Sequence, residues 1–199
     1  MTTVDDKRNQ IIDVALRRFS HFGIAKTSMS EIADDLKLSK ANLYYYFPDK
    51  FSLIEAIAYR IVDESDTAIY AVMETTPGTL EVLHRILDLR QEALDKYYML
   101  FLNLQEMNIN EERWVNLSKQ LFQREVDIIS RIFERGINRN ELVTFSVQET
   151  SELYVAIIRG LTMFCGQCMP TALPDREEIN RIVAKQKQVA SIFINGIKK

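Results

Sequence analysis

Between Thr27 and Lys50 the chain reads TSMSEIADDLKLSKANLYYYFPDK, and two helix starts fall inside it eleven residues apart. Ser28-Met-Ser-Glu31 is a capping box, in which Ser28 accepts from the Glu31 amide while the Glu31 side chain reaches back to Ser28. Ser39 is the N-cap of the next helix, three residues past Leu36, so only Lys37 and Leu38 are left for the turn. Two short helices joined this tightly cross at a large angle and need a small residue where their backbones approach. Ala33 provides it, and Leu36, Leu38 and Leu43 close the wedge. The stretch therefore imposes a helix-turn-helix unit, whatever surrounds it.

Upstream, Ile11, Ile12, Ala15, Leu16 and Phe19 form one apolar stripe on a first helix that turns Arg17 and Arg18 away and ends at Gly23. Downstream, Pro48-Asp49 starts a fourth helix that runs to about Met73, before Pro77-Gly78 stops it. Gly and Pro together make only 10 of 199 residues, against roughly 12% in ordinary usage, so turns are few and elements long. Beyond Thr79 the periodicity predicts helices over about 79 to 94, 95 to 108, 111 to 138, 146 to 168 and 175 to 196. Capping boxes at Ser146-Val-Gln-Glu149 and Asp175-Arg-Glu-Glu178, and Pro170 and Pro174 between the last two, punctuate them. Leu142 to Val147 has strand-like composition but no second strand to pair with. The expected class is all-α: a helix-turn-helix domain over residues 1–50, joined by the fourth helix to a helical bundle within 51–199.

With 47% hydrophobic and 27% charged residues the chain buries a sizeable core, which excludes a disordered chain. The formal charge of -3 argues against a nucleic-acid partner when taken whole, since Lys and Arg drive phosphate binding. Its distribution softens this: residues 1–50 carry eight Lys/Arg and seven Asp/Glu, the remainder 17 and 21. No apolar run reaches the ~18 residues of a membrane span, and Asp5 and Asp6 spoil a secretory leader, so a cytoplasmic location without membrane contact is expected. Two cysteines make no disulfide framework.

With Leu43 and Phe47 facing inward, Lys40, Ala41, Asn42, Tyr44 and Tyr45 lie on positions that no small helical unit needs to make aromatic. Phe47 and part of Tyr46 suit the core equally well, but a helix this short cannot bury four consecutive aromatics. Tyrosines beside a lysine at a helix start fit a nucleic-acid surface: Tyr hydroxyls and Lys50 reach phosphates, and Lys40 and Asn42 offer hydrogen bonds to base edges. Lys50 as a mere solvated lysine is disfavoured by the dipole of the helix it begins.

The segment resembles the DNA-binding region of the tetracycline-repressor (TetR-like) family of bacterial regulators. The resemblance is carried by Phe19-Ser-His-Phe-Gly23, Thr27-Ser28, Glu31-Ile32-Ala33, and Ser39-Lys-Ala-Asn-Leu-Tyr-Tyr-Tyr-Phe47 with Lys50, over roughly residues 7 to 65. It implies that Lys40, Ala41 and Asn42 stand where bases are read, and that Tyr44, Tyr46 and Lys50 stand where phosphates are held. Thr27, Ser28 and Ser30 open the second helix against the DNA backbone, Ser39 opens the third, and Tyr45 serves either role. Two positions depart from the family pattern. Lys37 stands where the family usually has Gly in the turn, at a cost of about 1 kcal/mol if the backbone there is left-handed. Asp34 and Asp35 place negative charge beside the reader.

Other patterns fail on their own chemistry. Glu81-Val-Leu-His84 has di-iron spacing, but such a site needs two motifs, and the other histidine, His21, has Arg18 three residues before it. Cys165-Gly-Gln-Cys168 has redox spacing without the usual βαβ setting, and zinc would need two further ligands. No nucleophile set or Gly-rich phosphate loop is present, so neither enzyme, metal nor cofactor is expected. For pairing of two copies, Leu153, Ile157, Gly160 and Leu161, with Ile182, Ala190 and Phe193, are the candidates, and the resemblance implies the same homodimer. Phe101, Gln105, Trp114, Phe122 and Phe164 are candidates for an apolar effector pocket. The expected function is a ligand-responsive repressor, bound as a homodimer to a palindromic double-stranded operator and released by a small effector. The rival is a helical small-molecule or thiol-redox sensor with a vestigial DNA reader.

Overall fold

In the computed structural model, which describes residues 4–104, 111–167 and 176–199, eight helices account for nearly all of the described chain. They are α1 (Val4–Phe22), α2 (Met29–Asp35), α3 (Lys40–Tyr46), α4 (Lys50–Thr75), α5 (Thr79–Leu104), α6 (Glu111–Asn138), α7 (Val147–Gln167) and α8 (Arg176–Ile197). The class is all-α, with an amino-terminal helix-turn-helix followed by long helices.

Two compact units divide it. The first comprises residues 1–64 and 96–110, the second residues 65–95 and 111–199. The first unit therefore extends past the boundary expected at residue 50, because Leu53, Ile54, Ile57 and Ile61 of α4 belong to one buried cluster with Ile11, Ala15 and Phe19 of α1. Gly23 ends α1 with φ 86° and returns its N–H to the Phe19 carbonyl at 3.0 Å. Glycine is favoured there because other residues strain at positive φ. Asp49 begins α4 as its cap: one carboxylate oxygen accepts from the Ser52 amide at 2.7 Å and from its hydroxyl at 2.8 Å.

α5 fuses the two helices expected on either side of residue 95. The break survives as a kink at Tyr97, φ -111° and ψ 18°. Tyr97 is buried in the first unit, and its hydroxyl donates to Glu64 at 2.7 Å beside Lys96 at 2.8 Å. The Lys96 and Tyr97 hydrogen bonds hold the Glu64 carboxyl below its ordinary range.

In the second unit the core is built by α5, α6, α7 and α8, with Leu83, Ile129, Phe133, Tyr154, Ile158 and Ala190 all buried. Phe133 stacks on Phe193 at 6.1 Å and meets Tyr154 edge-on at 5.8 Å. Buried Gln186 is satisfied by donating to the Ile158 carbonyl at 2.9 Å and to Thr162 Oγ1 at 3.0 Å, as a polar group in a core requires. Arg135 donates to the carbonyls of Met73 and Thr76 at the end of α4. The strand-like stretch after α6 forms only a bridge, Leu142 with Lys198, in which Val143 donates to Ile197 at 2.9 Å.

Candidate nucleic-acid interface and effector groove

The two caps expected in the reader are formed. Ser28 Oγ accepts from the Glu31 amide at 3.2 Å, while Glu31 Oε2 accepts from the Ser28 amide at 2.7 Å and its hydroxyl at 2.8 Å. These bonds from the Ser28 amide, then its hydroxyl, lower the pKa of Glu31. Ser39 Oγ accepts from the Asn42 amide at 3.2 Å. The turn closes on Ala33, whose carbonyl receives the Leu38 amide at 2.9 Å, and Lys37 has φ 52°. The position where the family usually has glycine is left-handed here.

Burial sorts the candidate contact residues. Leu43 and Phe47 are fully buried, and Arg8 lies over the Phe47 ring at 4.5 Å. Ser39, Lys40, Ala41 and Asn42 are exposed; Tyr44 is 46% and Tyr45 76% exposed. Tyr46 is half-buried and packs on the core, with its ring edge-on to Tyr45 at 5.2 Å. Ser28 is exposed and Ser30 half-buried. Thr27 does not belong on this surface. Its side chain is buried and its hydroxyl donates to the Gly23 carbonyl at 2.9 Å, so it fastens the loop before α2. Lys50 is half-buried, with Nζ 5.9 Å from the Phe19 ring centre, and burial lowers its pKa. Asp35 is held by Arg18, which donates to its two oxygens at 2.6 and 3.3 Å. That pairing neutralises one of the two negative charges expected beside the reader.

On the second unit, the candidate pairing residues separate by side of helix. Leu153 is 56% exposed, Ala156 and Gly160 are exposed, and a Cβ added at Gly160 would meet nothing within 4 Å. Ile157 and Leu161 are half-buried at the edge of this face. On α8 the expected face is the wrong one: Ile182 and Ala190 are buried, and Phe193 stacks inside the unit on Phe133. The outward apolar residue of α8 is Ile192, 72% exposed, with Gly196 open one turn on. A hydrophobe on the polar side of an amphipathic helix was the signal available in the sequence.

Two of the five pocket candidates meet. Trp114 and Phe122 line a groove of about 500 Å³ on α6, together with Val115, Ser118, Lys119, Gln123 and Arg159 of α7. Arg159 lies over the Phe122 ring at 5.1 Å and donates to Glu125 at 2.6 Å; Arg90 pairs with the other oxygen of Glu125. Periodicity within one helix could not reveal Arg159, because a second helix brings it there. Gln105 and Cys168, and the side chains of Phe101, Phe164 and Cys165, lie outside the described residues. His84, from the Glu-x-x-His pattern, has Nε2 3.1 Å from both the Lys187 carbonyl and Ser191 Oγ. No helix of the described residues is long and apolar enough to cross a membrane.

The fold and the first unit define a helix-turn-helix protein with a helical carboxy-terminal region. Residues 11–57 match the family model for bacterial regulatory proteins of the tetR family. The nicotine-responsive transcriptional repressor HdnoR of Paenarthrobacter nicotinovorans is 30% identical over 84 residues, 42% of this chain and 43% of the relative. The transcriptional regulator RutR of Escherichia coli K12 is 42% identical over 60 residues, 30% of this chain and 28% of the relative. The match thus spans less than half the length of either relative. A transcriptional regulator from Cytophaga hutchinsonii, known by its crystal structure, superposes with a TM-score of 0.83 at 27% identity, covering 97% of this chain and 99% of its own. Residues 11–57 thus carry the helix-turn-helix region of the tetR family of bacterial regulatory proteins, and nearly the whole chain is similar in fold to the Cytophaga regulator.

Proposed function

We propose that the protein is a homodimeric, ligand-responsive transcriptional repressor that works in the cytoplasm on a palindromic DNA operator. The observation that carries this reading is α3: with Leu43 and Phe47 buried, Lys40, Asn42, Tyr44 and Tyr45 remain exposed. That surface can enter a major groove, with Lys40 and Asn42 toward base edges and the tyrosines toward bases or phosphates. An operator phosphate beside half-buried Lys50 would offset the burial that disfavours its charge.

A single reader on an acidic chain binds DNA weakly, so two are needed, about 34 Å apart in successive major grooves. The outward faces at Leu153, Gly160 and Ile192 support the pairing that supplies the second. The effector, a small apolar or amphipathic molecule in the helical unit, prefers the conformation whose readers are misplaced, and α4 transmits that preference through its start at Lys50. HdnoR is nicotine-responsive by name, which supports release by a small molecule in this chain as well.

The test is selection from random duplexes. The protein is expected to return a palindromic sequence, and Asn42→Ala to relax one position of each half-site more than it lowers total affinity. No enriched sequence, or an identical preference in the variant, refutes the proposed reader.

A further inference from the structure

The groove on α6 has a charge pattern that its apolar lining does not require. Trp114, Val115 and Phe122 give it apolar walls, Lys119 and Arg159 two cations, and among the described residues that line it there is no Asp or Glu. The carboxylate behind it does not cancel this charge. Glu125 is shared by two guanidiniums, Arg90 and Arg159, so that cluster carries one net positive charge and Lys119 adds another. Asp127, one helical turn beyond Gln123, already accepts from Gln123 at 2.9 Å. A tryptophan and a phenylalanine left partly in water beside two cations suit a ligand with an apolar body and an anionic end. A volume of about 500 Å³ accommodates an acyl or aryl chain of modest length.

We infer that this groove binds an amphipathic carboxylate, its chain against Trp114 and Phe122 and its carboxylate between Lys119 and Arg159. The inference deepens the sensor reading by naming the effector's chemical class, and it rests on that reading only for what binding does to DNA. Charge-assisted hydrogen bonds to the two cations select the anion, and apolar burial contributes the rest of the affinity.

The chain contains one tryptophan, and it lies in the groove, so its emission reports binding directly. Decanoate, decanol and decyltrimethylammonium share one tail and differ in charge. Titrated into the intact protein, decanoate is expected to shift Trp114 emission saturably, decanol at least about tenfold more weakly, a difference of about 1.4 kcal/mol, and the cation not at all. Lys119 is exposed on its helix, so Lys119→Glu should abolish the decanoate response while leaving circular dichroism unchanged. Equal binding of decanol, or an undiminished response in Lys119→Glu, overturns the inference. A parallel operator gel shift separates the two readings. Saturable decanoate binding without operator release supports the ligand class and refutes its role as effector. Release by an uncharged compound, with no decanoate response at Trp114, supports a sensor and overturns the anionic site.

Discussion

Lys37→Gly should stabilise the protein, although it deletes a side chain and adds no contact. Lys37 sits in the turn between α2 and α3 at φ 52°, where an L-residue brings its Cβ against its own backbone at a cost of about 1–2 kcal/mol. Glycine escapes that cost but gains freedom in the unfolded chain, which takes back about 0.5–1 kcal/mol. The turn's hydrogen bonds are untouched, because Lys37 donates from its amide to Asp34 at 3.0 Å and Leu38 from its amide to Ala33 at 2.9 Å. The lost charge near the end of α2 removes a few tenths of a kcal/mol of dipole stabilisation. The net expectation is about 0.5 kcal/mol, or about 1–2 °C in Tm for a chain of this length. Urea denaturation followed by far-ultraviolet circular dichroism should show a raised midpoint with unchanged slope. Lys37→Ala keeps the Cβ and should be neutral or slightly destabilising; Lys37→Asn, which tolerates the left-handed region, should fall between Ala and Gly. If Ala stabilises as much as Gly, the effect comes from the lysine side chain and the backbone argument is wrong. If Gly destabilises, the strain is not there to be relieved.

Three further variants probe the second unit. Gly136→Ala should destabilise by about 1–3 kcal/mol in urea titration, because its Cβ would lie 2.6 Å from Thr79 Oγ1 and 2.8 Å from Leu142 Cδ1; wild-type stability would mean the packing there is loose. Glu141 accepts from the Thr79 amide at 2.8 Å and hydroxyl at 2.7 Å. Burial raises its pKa, but these bonds, with Arg139 and Arg135, outweigh burial and leave it below the unfolded value of 4.5. Its contribution is therefore complete above that value and lost as pH falls through the lower folded one, so Glu141→Gln should flatten the acid limb of stability below about pH 5. Leu153→Asp combined with Ile192→Asp should convert a micromolar dimer to monomer in sedimentation equilibrium with unchanged circular dichroism. A persistent dimer would place the pairing face elsewhere.

The helix-turn-helix is legible because its determinants are local: each cap is closed by a partner three residues away, and the turn by a carbonyl five residues back. Roles that depend on which neighbour a helix face meets are not encoded locally. Thr27 is a polar residue at a helix start, but its hydroxyl turns back to Gly23. Ile182 and Ala190 are buried and Phe193 stacks on Phe133 within their own unit, and hydrophobicity does not distinguish a residue packed on its own chain from one packed on a partner.

Phase within the helix separates the two cases better than hydrophobicity does. Tyr45, Leu153 and Ile192 each stand two residues beyond a fully buried position, Leu43, Ser151 and Ala190 respectively. Two residues on a helix is a rotation of about 200°, which turns the side chain away from the core. A large apolar or aromatic residue kept there gains little from its own fold, which supports the proposed contacts: DNA for Tyr45, a second protomer for Leu153 and Ile192. The same reasoning does not find the groove at Trp114, because Arg159 enters it from α7, and no single-helix phase encodes a charge supplied by another helix.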